Sequence, residues 1–200
     1  KACQKLEEEN ESLSKIKSDA QSQAIKIALI NKVSNIFSES LDLPKILNSA
    51  LNELLTIFGA FRVYYAEFEG GKFHPKAMQG NSFTYPETIE FDEKTLDTIK
   101  NKQISITNKL EEYICAKRFE KPVLRIIVPV FHLNNLKGIL TLLSHKKREI
   151  EEEREILEAI SSQFANAIVR SELYEKNTKT VKELKAALQE LKETQIQLIN

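Results

Sequence analysis

The hairpin of residues 123–144 constrains the fold of this chain most strongly. Two runs of β-forming residues, 123–131 and 136–143, flank the polar segment 132–135, which suits a tight turn between antiparallel strands. Apolar side chains occur on both faces of the first run: Leu124, Ile126, Val128 and Val130 on one, Val123, Ile127 and Phe131 on the other. Such a strand belongs in the middle of a sheet that is covered on both sides. We expect helices on one side and loops or a ligand on the other.

The charge balance and the cysteines exclude several classes of partner. Twenty-nine basic residues balance twenty-nine acidic ones, so no global field favours nucleic acid or an anionic membrane. Cys3 and Cys115 lie far apart without a CxxC pattern, which argues against a disulfide framework and against a zinc site. We therefore expect a reducing, cytoplasmic compartment, with neither a nucleic-acid partner nor a metal.

No apolar run approaches the roughly 18 residues that a membrane span needs, and the N-terminal residues are charged rather than typical of a signal peptide. We expect no membrane contact within these residues. The sequence lacks an initiator Met and starts and stops within helical patterns, which predicts a segment of a longer protein.

Both ends of the chain predict long helices with an apolar seam. Residues 1–40 and about 150–200 contain neither Gly nor Pro, and their apolar residues recur at heptad spacing. The predicted seam comprises Leu6, Leu13, Ile16, Ile27, Tyr174, Asn177, Val181, Leu184, Leu188, Leu191, Gln195 and Leu198. The helix of residues 1–40 either lies on its own domain or pairs with a second chain. We expect pairing of both helices in a parallel homodimer, because one two-fold axis can then serve both seams.

The residues between these helices predict a mixed domain. Asp42 and Pro44 open a second helix with a wide apolar stripe, and Gly59 ends it. Strands are predicted at 61–68 and 72–79, joined at a Gly-Gly turn, and at 103–107 on a sheet edge. The irregular stretch from Gly80 to about Lys102 includes a short helix at 95–99. A loop of that length is usually functional or mobile. A further short helix is predicted at 110–119, after the edge strand.

This order of elements resembles the GAF domain, a small-molecule sensing module. The specific part is IIVPVFHLNNLKGILTLLSHKKREIEEEREILEAISSQFANAIVRSELYE, and LDLPKILNSALNELLTIFGAFRVYYAEFE resembles the family's first helix and strand. The resemblance implies an α+β fold whose antiparallel sheet has the order 2-1-5-4-3, with helices on one face and long flanking coiled-coil helices. The implied organisation is an N-terminal coiled-coil helix at 1–40, the GAF sensor domain at 41–172 and a C-terminal signalling helix at 173–200.

The resemblance also implies a ligand pocket beneath the irregular insert. Aromatic residues are its candidate lining: Tyr65, Phe83, Tyr85 and Phe91. Cys115 is followed by Ala116, whereas bilin-attaching members usually have His after the attachment Cys. The Asn-Lys-Phe-Asp-Glu signature of cyclic-nucleotide-binding members is not met either. We therefore expect no cofactor, and a small-molecule ligand whose class the sequence does not identify.

No catalytic constellation is visible in the sequence. His74, His132 and His145 show no metal-ligand spacing, and GxSxG, P-loop and Gly-rich dinucleotide motifs are absent. Adjacent glutamates such as those at 151–153 suit a helix start. We expect these residues to form no enzyme of their own.

The tail sequence ELKETQIQLI, residues 190–199, resembles the helix that leads into the dimerisation and phosphoacceptor domain of sensor histidine kinases. A similar helix precedes diguanylate cyclase domains. Two hypotheses follow: a sensory, signal-transmitting segment of a dimeric sensor histidine kinase, or a ligand-free dimerisation spacer in a diguanylate cyclase or transcriptional regulator.

Overall fold

A computed structural model describes residues 2–80, 87–107, 123–145 and 150–199 of the chain. In chain order the elements are α1 (Ala2–Glu39), α2 (Leu43–Ile57), β1 (Arg62–Glu69), β2 (Lys72–Gly80), α3 (Glu93–Lys100), β3 (Ser105–Thr107), β4 (Leu124–His132), β5 (Asn135–Ser144) and α4 (Ile150–Ile199). These bounds agree with the predicted elements to within a few residues. The short helix expected at 110–119 lies outside the described residues.

The strands form an antiparallel sheet in the order β2-β1-β5-β4-β3, which confirms the predicted order. The central hairpin joins β4 to β5, and β3 occupies an edge next to β4. β5 also pairs with β1, so the hairpin lies in the middle of the sheet as its two apolar faces require.

The start and end of α2 follow from individual residues. The side chain of Asp42 accepts a hydrogen bond from the backbone N–H of Lys45 at 3.4 Å, and Pro44 occupies the first turn. The helix ends before Gly59, whose φ of +50° a residue with a side chain rarely adopts. The buried residues of α2 form one stripe: Ile46, Leu47, Ala50, Leu51 and Leu54. Burying each large member of that stripe contributes about 1.5–3 kcal/mol.

The main core lies between the sheet and the three helices α1, α2 and α4, on what we call the helix face. Val33 and Phe37 of α1 are buried there, and the ring of Phe37 meets Phe164 of α4 edge-on at 5.4 Å. The C-terminal part of α1 therefore packs on its own domain. Earlier residues of α1, including Leu13 and Ile16, remain more than half exposed.

Helices α1 and α4 run in the same direction. Lys26 Nζ lies 3.2 Å from Glu155 Oε2 near one end of their contact, and Arg170 Nη2 donates to the Ser40 carbonyl at 3.2 Å near the other. Because the helices are parallel, the N-terminal portion of α1 and the C-terminal portion of α4 extend from opposite ends of the domain. We call these two segments the free portions of the helices. At 1.5 Å per residue, residues 2–25 extend for roughly 36 Å and residues 173–199 for roughly 40 Å.

None of the helices within the described residues combines the length and the apolar character of a membrane span.

Candidate functional site

The second core lies on the opposite side of the sheet, which we call the insert face. It is built from residues of β1, β2, β4 and β5 and from the insert: Tyr64, Ala66, Phe73, Ile89, Phe91, Ile99, Ile127 and Ile139. The order of apolar residues in β1, β4 and β5 divides the sheet into these two faces. The insert face is where the resemblance placed a ligand pocket.

Two buried arginines cross the insert face in one row. Arg62 on β1 pairs with Leu143 on β5, and Leu143 pairs with Arg125 on β4. Each arginine is only 1% exposed. Fully buried arginines are rare unless a charged or polar group is close. This row, which we call the cationic row, lies at the end of the insert face where β1 and β4 begin.

The next row across the same face contains a polar atom in an apolar setting. Thr141 lies between Tyr64 and Ile127 in the register and is fully buried. Among the described residues its hydroxyl has no hydrogen-bond partner. A buried hydroxyl without a partner costs roughly 1–3 kcal/mol, and a polar ligand or water at this position would remove that cost.

Phe91, one of the predicted pocket residues, packs in the insert-face core. It is 9% exposed, its ring meets Phe73 edge-on at 5.4 Å, and the guanidinium of Arg125 lies 5.4 Å from the ring centroid. Phe83 and Tyr85 lie outside the described residues. The role of Phe91 in ligand binding stays a prediction, while its contact with Arg125 links the insert to the cationic row.

Tyr65 lies on the helix face, so the structure does not bring it together with Phe91. Its ring packs 5.3 Å from that of Phe164, and its hydroxyl donates a hydrogen bond to the Lys137 carbonyl at 3.1 Å. Burial, followed by the nearby carboxylates of Glu67 and Glu172, raises the pKa of Tyr65 well above its ordinary value. The phenol therefore stays protonated and remains a hydrogen-bond donor.

Three consecutive residues fasten α4 where it leaves the domain, and we call them the clasp. Arg170 donates to the Phe37 and Ser40 carbonyls at the end of α1, and Ser171 donates to the Leu41 carbonyl at 2.7 Å. Glu172 pairs with Lys137 of β5 at 2.7 Å. The clasp joins the tail to α1, to the link before α2 and to the central hairpin.

Beyond the clasp, the tail of α4 presents its apolar seam to solvent. Tyr174, Val181, Leu184, Leu188 and Leu191 are 50–64% exposed. Asn177 and Gln195 of the seam are exposed as well, as are Leu13, Ile16 and Ile27 on α1. Leu6 and Leu198 lie outside the residues whose side chains the structure describes. The exposed seam residues are thus available for a second chain, and their pairing stays a prediction.

The three histidines lie apart in the sheet: His74 on β2, His132 at the end of β4 and His145 just after β5, where it stacks on Phe61 at 4.4 Å. Within the described ranges, no three His, Cys, Asp or Glu side chains are grouped so that they could hold a metal ion.

Neither the two buried arginines nor the clasp is among the site residues predicted from the sequence. A signal for Arg125 was present, because it is a charged residue inside an otherwise apolar strand. Nothing in the sequence distinguishes Arg170 and Glu172, because charged residues are common where a helix leaves the domain on which it packs.

Comparison with known proteins agrees with this architecture. A family model described as GAF domain matches residues 40–169. No curated protein matches the chain.

Among solved structures, the chain is similar to the free methionine-R-sulfoxide reductase from Neisseria meningitidis in complex with its substrate. The TM-score is 0.61 at 15% identity, with 76% of this chain and 92% of that chain covered. The phycoerythrobilin-bound GAF domain from a cyanobacterial phytochrome gives 0.60 at 17% identity, covering 75% and 97%. The A. aeolicus nlh2 GAF domain in an inactive state gives 0.58 at 14% identity, covering 74% and 97%. At these identities the likeness shows the fold alone.

Proposed function

Since the match over residues 40–169 places this chain in the GAF domain family, we propose that it is a non-catalytic sensory and signal-transmitting segment of a dimeric signalling protein. In this proposal the domain holds a small molecule on its insert face, and α4 carries the change to an output domain. The setting is a cytoplasmic one.

The exposed seam of the tail is the observation that carries the proposal. The apolar members whose side chains the structure describes are 50–64% exposed in the single chain, although they recur at a strict heptad spacing. A second copy would bury these residues in a parallel coiled coil. The parallel course of α1 and α4 supports the same arrangement, since both free helical portions can lie along one two-fold axis.

The Thr141 hydroxyl, which has no hydrogen-bond partner among the described residues, supports a ligand with a polar group on the insert face. Arg62 and Arg125 bring two cationic groups into a buried row, and the hydroxyl of Thr141 lies in the next row. A polar group on the ligand would form a hydrogen bond with the threonine hydroxyl. Two of the similar structures contain a bilin, biliverdin in one and phycoerythrobilin in the other.

For the output we propose a sensor histidine kinase, on the resemblance of residues 190–199 to the helix before the phosphoacceptor domain. The ligand-free spacer in a diguanylate cyclase or transcriptional regulator is the competing proposal. Reading the gene past Asn200 separates the two outputs, because a His-Glu pair in a following helix supports the kinase and a Gly-Gly-Asp/Glu-Glu-Phe run contradicts it.

The dimer is tested by light scattering on the chain at micromolar concentration. We expect a mass twice that of the 22.9 kDa chain. Leu184→Lys with Leu191→Lys should return the mass to that of a monomer, because like charges would face each other in the seam. Lys179→Glu, on the outer side of the same helix, is the matched control and should leave the dimer intact. A parent chain that stays monomeric at high concentration would contradict the proposal.

A further inference from the structure

A cavity of about 210 Å³ opens on the helix face, on the other side of the sheet from the insert. Its floor is formed by Leu47, Tyr65 and Ile168, and its rim includes Glu67, Lys76 and Ala77. An apolar cavity of roughly 150 Å³ is enough to bind benzene. The cavity between α2, β1, β2 and α4 is therefore large enough for a small organic molecule.

A β-bulge in β2 shapes the rim of this cavity. Tyr65 pairs with Ala77 and Ala66 pairs with Pro75, so Lys76 is the extra residue between them. In a regular strand, neighbouring side chains point to opposite faces, yet Lys76 and Ala77 both line the cavity. Bulges are enriched beside functional sites, where they redirect a side chain. This bulge turns a lysine toward the helix face.

A second bulge supports the floor of the cavity. Val130 pairs with Gly138 and Phe131 with Leu136, so Lys137 is the extra residue of β5. Its carbonyl accepts the hydrogen bond from the Tyr65 hydroxyl. The bulges in β2 and β5, the two strands that flank β1, thus position the Tyr65 ring and the charged groups at the rim of the cavity.

Polarity changes sharply from the floor of the cavity to its rim. Leu47, Tyr65 and Ile168 are 4%, 2% and 1% exposed. At the rim, Lys76 Nζ lies 2.9 Å from Glu67 Oε2, and the two side chains are 45% and 31% exposed. An ammonium group and a carboxylate therefore stand side by side at the mouth of an apolar cavity.

We propose that this cavity binds a small zwitterion with an aliphatic body, of the kind that a free aliphatic α-amino acid represents. The body occupies the floor against Leu47 and Ile168. The carboxylate of the ligand accepts from Lys76, and its ammonium group donates to Glu67. A ligand with a single charge satisfies only one member of the Glu67–Lys76 pair, so the rim favours a molecule that carries both charges.

A ligand in this cavity would be linked to the tail of α4 by a short series of contacts. Ile168 lies one helical turn before Glu172 of the clasp, and Glu172 pairs with Lys137, whose carbonyl binds Tyr65. A molecule on this floor touches both Tyr65 and α4. The site is separate from the insert face and does not depend on the dimer.

The test compares three probes that share one branched aliphatic body: L-leucine, 3-methylbutylamine and 4-methylpentanoate. Calorimetric titration of the full chain should show binding of L-leucine, with each singly charged analogue weaker by about tenfold or more, since a charge-assisted hydrogen bond contributes about 1.5–3 kcal/mol. Lys76→Met should reduce the affinity for L-leucine about tenfold while leaving that for 3-methylbutylamine nearly unchanged. Glu67→Gln should likewise reduce the affinity for L-leucine, while leaving the affinity for 4-methylpentanoate nearly unchanged.

Two further variants fix the location of the site. Ala77→Phe fills the cavity from its half-buried rim and should abolish binding, with folding checked by circular dichroism. Lys72→Met removes a lysine that pairs with Glu90 at 3.7 Å away from the cavity, and should bind L-leucine like the parent. Equal affinity for all three probes, binding that survives Ala77→Phe, or no binding at millimolar L-leucine would overturn the proposal. Light scattering on the same samples reports the dimer separately, so either conclusion can fail alone.

Discussion

The ring of Tyr65 lies against Gly138 so closely that position 138 has no space for a side chain. A β-carbon there would lie 2.8 Å from Tyr65 Cε2 and 2.2 Å from the carbonyl oxygen of Ala66. Glycine at this position therefore allows β1 and β5 to pair while the tyrosine ring crosses over β5.

Gly138→Ala should destabilise the fold by about 3 kcal/mol, the upper end of the usual cost of overpacking, because the clash is partly with backbone. The measurement is the free energy of unfolding from urea denaturation. Gly70→Asn is the matched control: a β-carbon at Gly70 meets nothing within 4 Å, and asparagine tolerates its φ of +59°. We expect the control to change stability by less than about 0.5 kcal/mol. An unchanged urea midpoint for Gly138→Ala would show that the strands separate easily here.

Ser171→Ala should loosen the clasp. The Ser171 hydroxyl is buried and donates to the Leu41 carbonyl at 2.7 Å, so its loss leaves that carbonyl without this donor. We expect a cost of about 1–3 kcal/mol in the free energy of unfolding and faster hydrogen exchange in residues 38–45. Ser162→Ala, an exposed position on the same helix, is the control and should alter neither quantity. Exchange that stays the same in both variants would mean that the clasp does not hold the link between α1 and α2.

Asn177→Leu combined with Gln195→Leu should tighten the dimer by about tenfold or more, because polar residues at seam positions fix the register at a cost in stability. Sedimentation of a dilution series measures the dissociation constant. The control replaces Lys179 and Glu193, which lie on the outer side of the tail, with leucine and should leave the constant unchanged. Cross-linking of single cysteines placed along the tail then reports whether the double variant is held in one register. Weaker association would contradict the assignment of both residues to the seam.

The N-cap of α3 should give the fold a specific acid sensitivity. Asp92 Oδ1 accepts from the Thr95 N–H at 2.7 Å, and this bond, followed by one from the Thr95 side chain, lowers the pKa of Asp92. Because the folded pKa lies below the unfolded value of about 3.9, the contribution is complete above that pH and is lost as the pH falls through the folded pKa.

Asp92→Asn keeps the cap without the charge, so it should match the parent at neutral pH and lose less stability on acidification. Asp92→Ala should cost about 1 kcal/mol at neutral pH. Urea midpoints at neutral pH and near pH 3 test both statements. If the parent and Asp92→Asn lose stability in parallel on acidification, the ionised cap does not contribute.

The sheet order was predictable because the order of elements along the chain resembles a known family, and the ends of α2 because Asp42, Pro44 and Gly59 act locally. The faces of β1 were harder to assign. Tyr64 and Tyr65 alternate in a strand that is apolar on both sides, so nothing in its sequence indicates which of them faces the insert. The structure places Tyr64 there and Tyr65 opposite.

The two bulges explain why the helix-face cavity was not foreseen. Pro75 before Lys76 and Gly138 after Lys137 are residues that can mark a bulge in a strand, but neither indicates toward which face the neighbouring lysine turns, because that depends on the pairing register. The cationic row on the insert face depends likewise on register, since Arg62 and Arg125 are 63 positions apart and meet only through Leu143.

The uninterrupted course of α4 has a consequence for any protein joined to its tail, natural or engineered. From Phe164 in the core to Leu191 in the seam there is no break in the helix, so each residue added after the clasp rotates whatever follows by about 100° about the helix axis. Fusions that differ by seven residues keep the same angular phase to within about 20°. Chimaeras whose joints differ by seven residues should therefore respond to the signal in the same direction. Joints of intermediate length should give the opposite response or none.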